Sequence, residues 1–293
     1  MNKKNIIIFS IIILFSIQII ISYGLIFYNK KNKINFNLTT YEEKFFPISN
    51  KSKLTYYEKD IINNNNDIEK KTLVFLHDVY KSSFNSDLIL SNYFNMYDDA
   101  KNNFKIILID LPAHGKSFKE NGYDYSFRNT SSTLLKLLES INTKNIYLVC
   151  DGLSSNIGLN MISLNDKIFS SIVLINPTFN LNSPVKNTIL QLKNKFITLK
   201  NFAVFNHTKS EDSFKNYTMY YFNEKNSSNQ YIKKMIENSS IITLENFSTN
   251  INIYVLVTNK FNFNTSYLKN LSNNSSATFF LPNKDAFKEI IKK

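Results

Sequence analysis

The sequence predicts an α/β domain: a mostly parallel, doubly wound sheet with a helical insertion near one end and a transmembrane helix in front of it. Three observations carry that prediction. Short, continuously apolar runs such as Thr72 to His77 and Phe104 to Asp110 alternate with segments of helical spacing. Strands covered on both faces of a parallel sheet look like this, because neither side of the strand meets water. The alternation stops over residues 178–247 and then resumes. Residues 6–28 carry no charge and consist mostly of Ile, Phe and Leu.

The N-terminal segment comes first. At 1.5 Å per residue, about 23 helical residues span roughly 34 Å, enough to cross the hydrocarbon core of a bilayer. A signal-peptide apolar region has about 7 to 15 residues, so the segment reads as an uncleaved anchor, although Ser22 and Gly24 form a weak cleavage-like pair. Residues 1–30 are therefore expected to be a single-pass membrane anchor, with residues 31–293 as the domain. Lys3 and Lys4 balance Lys30, Lys31 and Lys33 across the span, so orientation rests on the tendency of a short N-terminal tail to stay cytoplasmic. That places the domain outside the cytosol or in a lumen. Sequons such as Asn37-Leu38-Thr39 suit a secretory lumen but arise readily by chance in so asparagine-rich a chain.

Two alternating stretches follow, Tyr41 to Ile48 and Lys53 to Glu58, split by a turn-like Ser-Asn-Lys-Ser and expected to form an antiparallel hairpin. Asn63 to Asn66 reads as a loop. Between the apolar strands 72–77 and 104–110, helical spacing at Leu88, Leu90, Tyr93 and Phe94 predicts a helix over Ser86 to Ala100. A second helix, Ser131 to Ile141, precedes a strand at Asn145 to Cys150, and a third, Leu153 to Leu164, precedes a strand at Ser171 to Ile175. Strand alternating with helix implies right-handed crossovers and a doubly wound sheet. Residues 178–247 read as helical, one helix starting at Ser183 with Pro184 in its first turn, and as a lid or cap over the ligand end of the sheet. The last elements are strands at Ile251 to Val257 and Ala277 to Leu281 and helices at Tyr267 to Leu271 and Ala286 to Ile291.

Composition excludes several function classes. The formal charge of +12 is almost wholly lysine, Arg128 being the only arginine, and the excess of Lys, Asn, Ile, Phe and Tyr follows codons rich in A and T. The lysines are scattered through the chain instead of concentrated on one stripe, so no nucleic-acid partner is implied. One cysteine, Cys150, rules out an intramolecular disulfide and lies in an apolar strand where a small core residue belongs. No cluster of ligating side chains at metal spacing and no phosphate-cradling glycine loop occurs, so neither metal nor nucleotide cofactor is expected.

Three motifs resemble the α/β-hydrolase superfamily, the esterases, lipases and monoacylglycerol lipases. Thr72-Leu-Val-Phe-Leu-His77-Asp78 resembles the strand that ends in His-Gly ahead of the oxyanion loop. Ile107-Leu-Ile-Asp-Leu-Pro-Ala-His-Gly-Lys-Ser117 resembles the family's Asp-x-Pro-Gly-His-Gly-x-Ser turn. The segment from Leu148 to Pro177 matches the nucleophile elbow and the following strand without a gap. The resemblance runs in order from about residue 40 to the end.

That resemblance implies a nucleophile on a sharp strand-to-helix turn, an acid and a histidine, in that chain order. It also implies an oxyanion held by two backbone N–H groups, which here belong to Val79 and Leu153. At the nucleophile position stands Gly152, which has nothing to attack with but can adopt the left-handed backbone of an elbow. Ser154 is an alternative nucleophile only in a register shifted by two residues. The family's acid position reads Thr258-Asn-Lys-Phe261, and the histidine position near Asp285 and Ala286 holds no histidine. His77 and His114 belong to structural turns, and His207 lies in the insertion, too early in chain order for the usual base. The family's His-Gly is His77-Asp78, and the histidine before the nucleophile is Asp151. His77, Asp78 and Asp151 are thus expected beside the elbow, with two carboxylates near the place where an anion would develop.

Three function classes remain open at this stage. The first is a membrane-anchored, catalytically degenerate member of the superfamily that binds a lipid, a small ester-like ligand or a protein. The second is an active serine esterase or lipase with displaced catalytic residues. The third is a structural or adhesive ectodomain.

Overall fold

The computed structural model describes residues 13, 16–17, 38, 40–61, 71–79, 81–94, 104–177, 228–237, 249–256 and 277–280. The chain divides into two compact units, residues 1–37 with 184–222 and residues 38–183 with 223–293. The elements below belong to the second unit. Among the described residues no helix is long and apolar enough to cross a membrane. The expected anchor at residues 6–28 lies outside them except for Ile13, Ser16 and Ile17.

The sheet has eight strands: β1 (Glu42–Pro47), β2 (Lys53–Ile61), β3 (Lys71–Leu76), β4 (Phe104–Ile109), β5 (Ile146–Asp151), β6 (Phe169–Ile175), β7 (Asn252–Leu256) and β8 (Ala277–Phe280). Their order is β1-β2-β4-β3-β5-β6-β7-β8. β1 pairs antiparallel with β2 and β2 antiparallel with β4, while every later pairing is parallel. The hairpin expected from residues 41–58 is present, but its second strand continues to Ile61. The reason is its other edge, where Glu58 to Ile61 pair with Ile107 to Phe104 of β4.

Residues of period two within each parallel strand feed two separate cores. Val74 and Leu76 of β3, Ile107 and Ile109 of β4, Leu148 and Cys150 of β5 and Ile172 and Leu174 of β6 face one side of the sheet. Leu73, Phe75, Ile106, Leu108, Val149, Val173 and Ile175 face the other. Nearly all are fully buried, which explains why these strands read as unbroken apolar runs.

Helix α1 (Ser83–Phe94) starts three residues before its expected position. Polar partners set that start: the Ser82 N–H donates to Asn85 Oδ1 and the Ser83 N–H to Asp110 Oδ1, satisfying donors that a helix N-terminus leaves unpaired. Helix α2 (Phe127–Ser140) likewise begins four residues early, because Ser126 caps it by accepting from the Asn129 N–H. Its buried Leu134, Leu135, Leu137 and Leu138 pack on the first core together with α3 (Ser154–Leu164). α4 (Asn229–Glu237) contributes buried Ile232 and Met235, and its Tyr231 ring stacks on Tyr125, centroids 5.0 Å apart. The rest of the insertion, and the helices expected at Ser183, Tyr267 and Ala286, lie outside the described residues.

Two turns rest on glycine for different reasons. In the turn after β4 the Asp110 carboxylate accepts from the Ser83 and Lys116 N–H groups, and Ser117 Oγ donates to the Asp110 carbonyl while accepting from the Thr55 N–H. Gly115 sits at φ +47° with the Asp110 carboxylate occupying the space a Cβ would need. Gly122, at φ +86°, has open space there. Gly115→Ala is therefore expected to cost about 3 kcal/mol or more, combining overlap with left-handed strain, and Gly122→Ala only about 1 kcal/mol from strain alone. Urea denaturation of the two variants tests that ordering.

Candidate functional site

The strand order reverses beside β3: the chain moves from β3 to β4 on one side and then crosses to β5 on the other. In an open parallel sheet the crevice at such a reversal, outside the carboxyl ends of the strands, is where ligands bind. The C-terminal ends of β3 and β5 place His77, Asp78, Asp151 and Gly152 at that reversal.

β5 ends at Asp151 and α3 begins at Ser154, so Gly152 and Leu153 make the whole turn. Gly152 has φ +62°, the left-handed conformation that glycine adopts without steric cost. Its N–H donates to the Ile175 carbonyl at 2.9 Å and its carbonyl accepts from the Ser155 N–H. The shape of a nucleophile elbow is thus present with no side chain at its tip.

The Asp78 carboxylate fills the space over that tip. Its Oδ1 accepts from the Val79 N–H and from the Leu153 N–H, each at 2.8 Å. These are the two donors that the family resemblance assigns to the oxyanion. An ideal Cβ built on Gly152 would overlap Cγ and both oxygens of Asp78. Residues 78 and 152 therefore exclude each other's bulk: a carboxylate here requires glycine there.

Lys81 completes the group. Its ammonium bonds Asp151 Oδ2 at 2.5 Å and lies 4.0 Å from Asp78 Oδ2. Sequence reasoning placed the two carboxylates but not this cation, which is three residues past Asp78 and 70 residues from Asp151. A lysine following His-Asp in the oxyanion loop was the available signal. Burial is the largest influence on Asp78 and pushes its pKa up to about 6; Lys81 pulls it down, Asp151 pushes it up and the two N–H donors pull it down. Burial wins, although 29% of the side chain still meets solvent.

The remaining expected residues are structural in their contacts. Ser154 is fully buried, and its Oγ donates to the Leu76 and Asp151 carbonyls, both at 2.9 Å. His77 is fully buried; its Nδ1–H donates to the Asp78 carbonyl and its Nε2 accepts from the Leu111 N–H. Burial holds its pKa down at about 3, so the ring is neutral. His114, whose Nδ1–H donates to the Pro112 carbonyl, packs edge-on against it at 5.1 Å. His207, Thr258 to Phe261 and Asp285 lie outside the described residues. α3 packs closely on β5 at Gly158, where a Cβ would overlap Cys150 Sγ. Among the described residues no group of three or more ligating side chains could hold a metal ion.

Two outcomes follow from this geometry. Gly152→Ala should cost about 2 to 4 kcal/mol in the wild-type background but about 1 kcal/mol in an Asp78→Ala background, because removing the carboxylate leaves only backbone strain; a double-mutant cycle by denaturation reads the coupling. Asp78 binds a proton more tightly folded than unfolded, so its contribution to stability is largest below pH 4 and is lost as pH rises through about 6. Asp78→Asn removes that loss, and the stability difference should shift in favour of the variant by about 1.5 kcal/mol between pH 5 and pH 8. His77 acts oppositely in wild type and variant alike, favouring the fold above pH 6.5 and withdrawing that support as pH falls toward 3.

Comparison with known proteins agrees with this architecture. A match of 27% identity over 106 residues, 36% of this chain and 36% of the other, links it to the "uncharacterized hydrolase YugF" of Bacillus subtilis (strain 168); the chain thus spans about a third of that relative's length. Among solved structures, a bromoperoxidase from Bacillus anthracis superposes with a TM-score of 0.62 at 15% identity, covering 86% of this chain and 100% of that one. A hydrolase from Pseudomonas aeruginosa gives 0.61 at 11% identity over 82% and 89%. A thermophilic esterase from Thermogutta terrifontis gives 0.57 at 11% identity over 86% and 98%. At these identities the structures speak for the fold. The family model for the alpha/beta hydrolase fold matches residues 48–283, and with the reversal at β3, the glycine elbow and the Asp110 turn all in that family's places, the chain belongs to the α/β-hydrolase fold family.

Proposed function

We propose that this protein is a membrane-anchored α/β-hydrolase-fold protein that has lost serine-hydrolase chemistry and uses the elbow crevice to bind a lipid or a small ester-like ligand. The observation that carries the reading is the seat of Asp78. Its Oδ1 accepts from both N–H groups that an oxyanion would need, above a Gly152 with no nucleophile. Acyl transfer builds negative charge on the substrate oxygen, and preorganised donors stabilise it only if they are open to it. A resident carboxylate removes those donors and adds like charge. At an effective dielectric of about 20, two charges 4 Å apart repel by about 4 kcal/mol, which opposes formation of the anion.

The rest of the sequence supports the same reading. Neither Thr258-Asn-Lys-Phe261 nor the stretch at Asp285 offers the acid and histidine in the family's chain order. Losing the nucleophile or the base of a hydrolytic triad costs about a millionfold in turnover. The uncharged run at residues 6–28 supports anchoring, with the domain on the extracytoplasmic or lumenal side.

Membranes carrying the full-length chain, exposed to a fluorophosphonate probe and to short and long acyl esters, test the proposal. No covalent labelling and no turnover are expected, from wild type or from Gly152→Ser. Labelling that disappears on Ser154→Ala, or turnover that disappears on His207→Ala, would overturn it in favour of the hydrolase activity named for the relatives.

A further inference from the structure

The Val79 and Leu153 N–H groups already hold a carboxylate, and that carboxylate is the protein's own. We infer that the elbow is a carboxylate-binding site closed by its resident ligand, Asp78, so that a carboxylic-acid ligand enters by exchange with the Asp78 side chain. This rests on the reading that the elbow no longer performs acyl transfer.

Three features carry the inference. Two convergent N–H donors at 2.8 Å from one oxygen are a built acceptor site, and Oδ1 of Asp78 shows which ligand chemistry satisfies it. The donors come from different elements, the loop after β3 and the turn before α3, 75 residues apart in sequence, so the site exists only in the folded chain. The resident carboxylate also has somewhere to go. Its Oδ2 lies 4.0 Å from the Lys81 ammonium, and 29% of the side chain reaches solvent, so a carboxylate turned away from the N–H pair would keep a cation beside it. Gly152 keeps the space above the elbow free for either occupant, since any Cβ there would overlap the carboxylate.

An internal ligand weakens an external one by the fraction of molecules in which the site is vacated. Shortening or neutralising residue 78 should raise carboxylate affinity in proportion. Acetate is a suitable probe because it carries the recognised group and little else, and acetamide is its neutral control. Binding is read as ligand-induced thermal stabilisation and by NMR titration on full-length wild type, Asp78→Asn and Asp78→Ala. Asparagine keeps an acceptor on the two donors but loses the charge, so it preserves the fold if alanine does not. The expected order of acetate affinity is Asp78→Ala above Asp78→Asn above wild type, with the first step from wild type about tenfold and with acetamide inert throughout.

Folded Asp78→Asn that binds acetate no better than wild type, or acetamide binding as well as acetate, would overturn the inference. That failure is separable from failure of the preceding proposal. Fluorophosphonate labelling of wild type would remove the non-catalytic reading itself, whereas absent labelling with unchanged acetate affinity would remove only the exchange.

Discussion

The hydrogen bonds from the Val79 and Leu153 N–H groups to one oxygen of Asp78 are the constraint on which the character of this molecule depends. They tie the loop leaving β3 to the turn entering α3, across the point where the sheet order reverses. They also decide what residue 152 can be. A carboxylate in that place forbids a β-carbon beneath it, and a left-handed turn disfavours one independently. Glycine at the elbow is therefore a matching half of the arrangement and not merely a lost serine.

The same device occurs a second time. Asp110 accepts from two backbone N–H groups, and its carboxylate lies over Gly115 where a β-carbon would be. In both places an acidic side chain at the end of a parallel strand gathers one donor from the turn that follows it and one from a helix start distant in sequence, and a left-handed glycine makes the room. Charge-assisted bonds of this kind contribute about 1.5 to 3 kcal/mol each, offsetting part of the cost of burying a carboxylate. At both sites burial still outweighs the donors and holds the pKa above its ordinary value. The difference lies in surroundings: Asp110 is fully buried in a structural turn, whereas Asp78 keeps an edge toward solvent with Lys81 and Asp151 beside it.

The neutral histidine pair shows how far the strand ends are committed to architecture. His77 spends both ring nitrogens on backbone groups and His114 packs against its face. Their burial favours the uncharged ring, so neither is poised to exchange a proton near neutral pH. Ser154 is occupied in the same sense, its hydroxyl shared between two carbonyls at the start of α3. Side chains that a search for catalytic groups would collect around the elbow are instead joining strand, turn and helix.

Most of the fold was legible in the sequence, because a strand buried on both faces must be apolar at successive positions, and β3 to β6 all are. The motif around Asp110 and the elbow around Gly152 were legible for a related reason: left-handed turns need glycine, and glycines at fixed offsets from a strand mark them. Element starts were less legible. α1 and α2 begin early because Asn85, Asp110 and Ser126 supply partners to their first N–H groups, which apolar spacing does not report. By itself the sequence determined the alternation of strand and helix, the missing hydroxyl at residue 152 and the presence of acids at 78 and 151. Only the tertiary structure decided that Asp78 turns into the donor pair, that Lys81 bridges to Asp151 and that Gly158 lies against Cys150. Those outcomes join residues distant along the chain or depend on side-chain direction, and local pattern carries no information about which donor a carboxylate will meet.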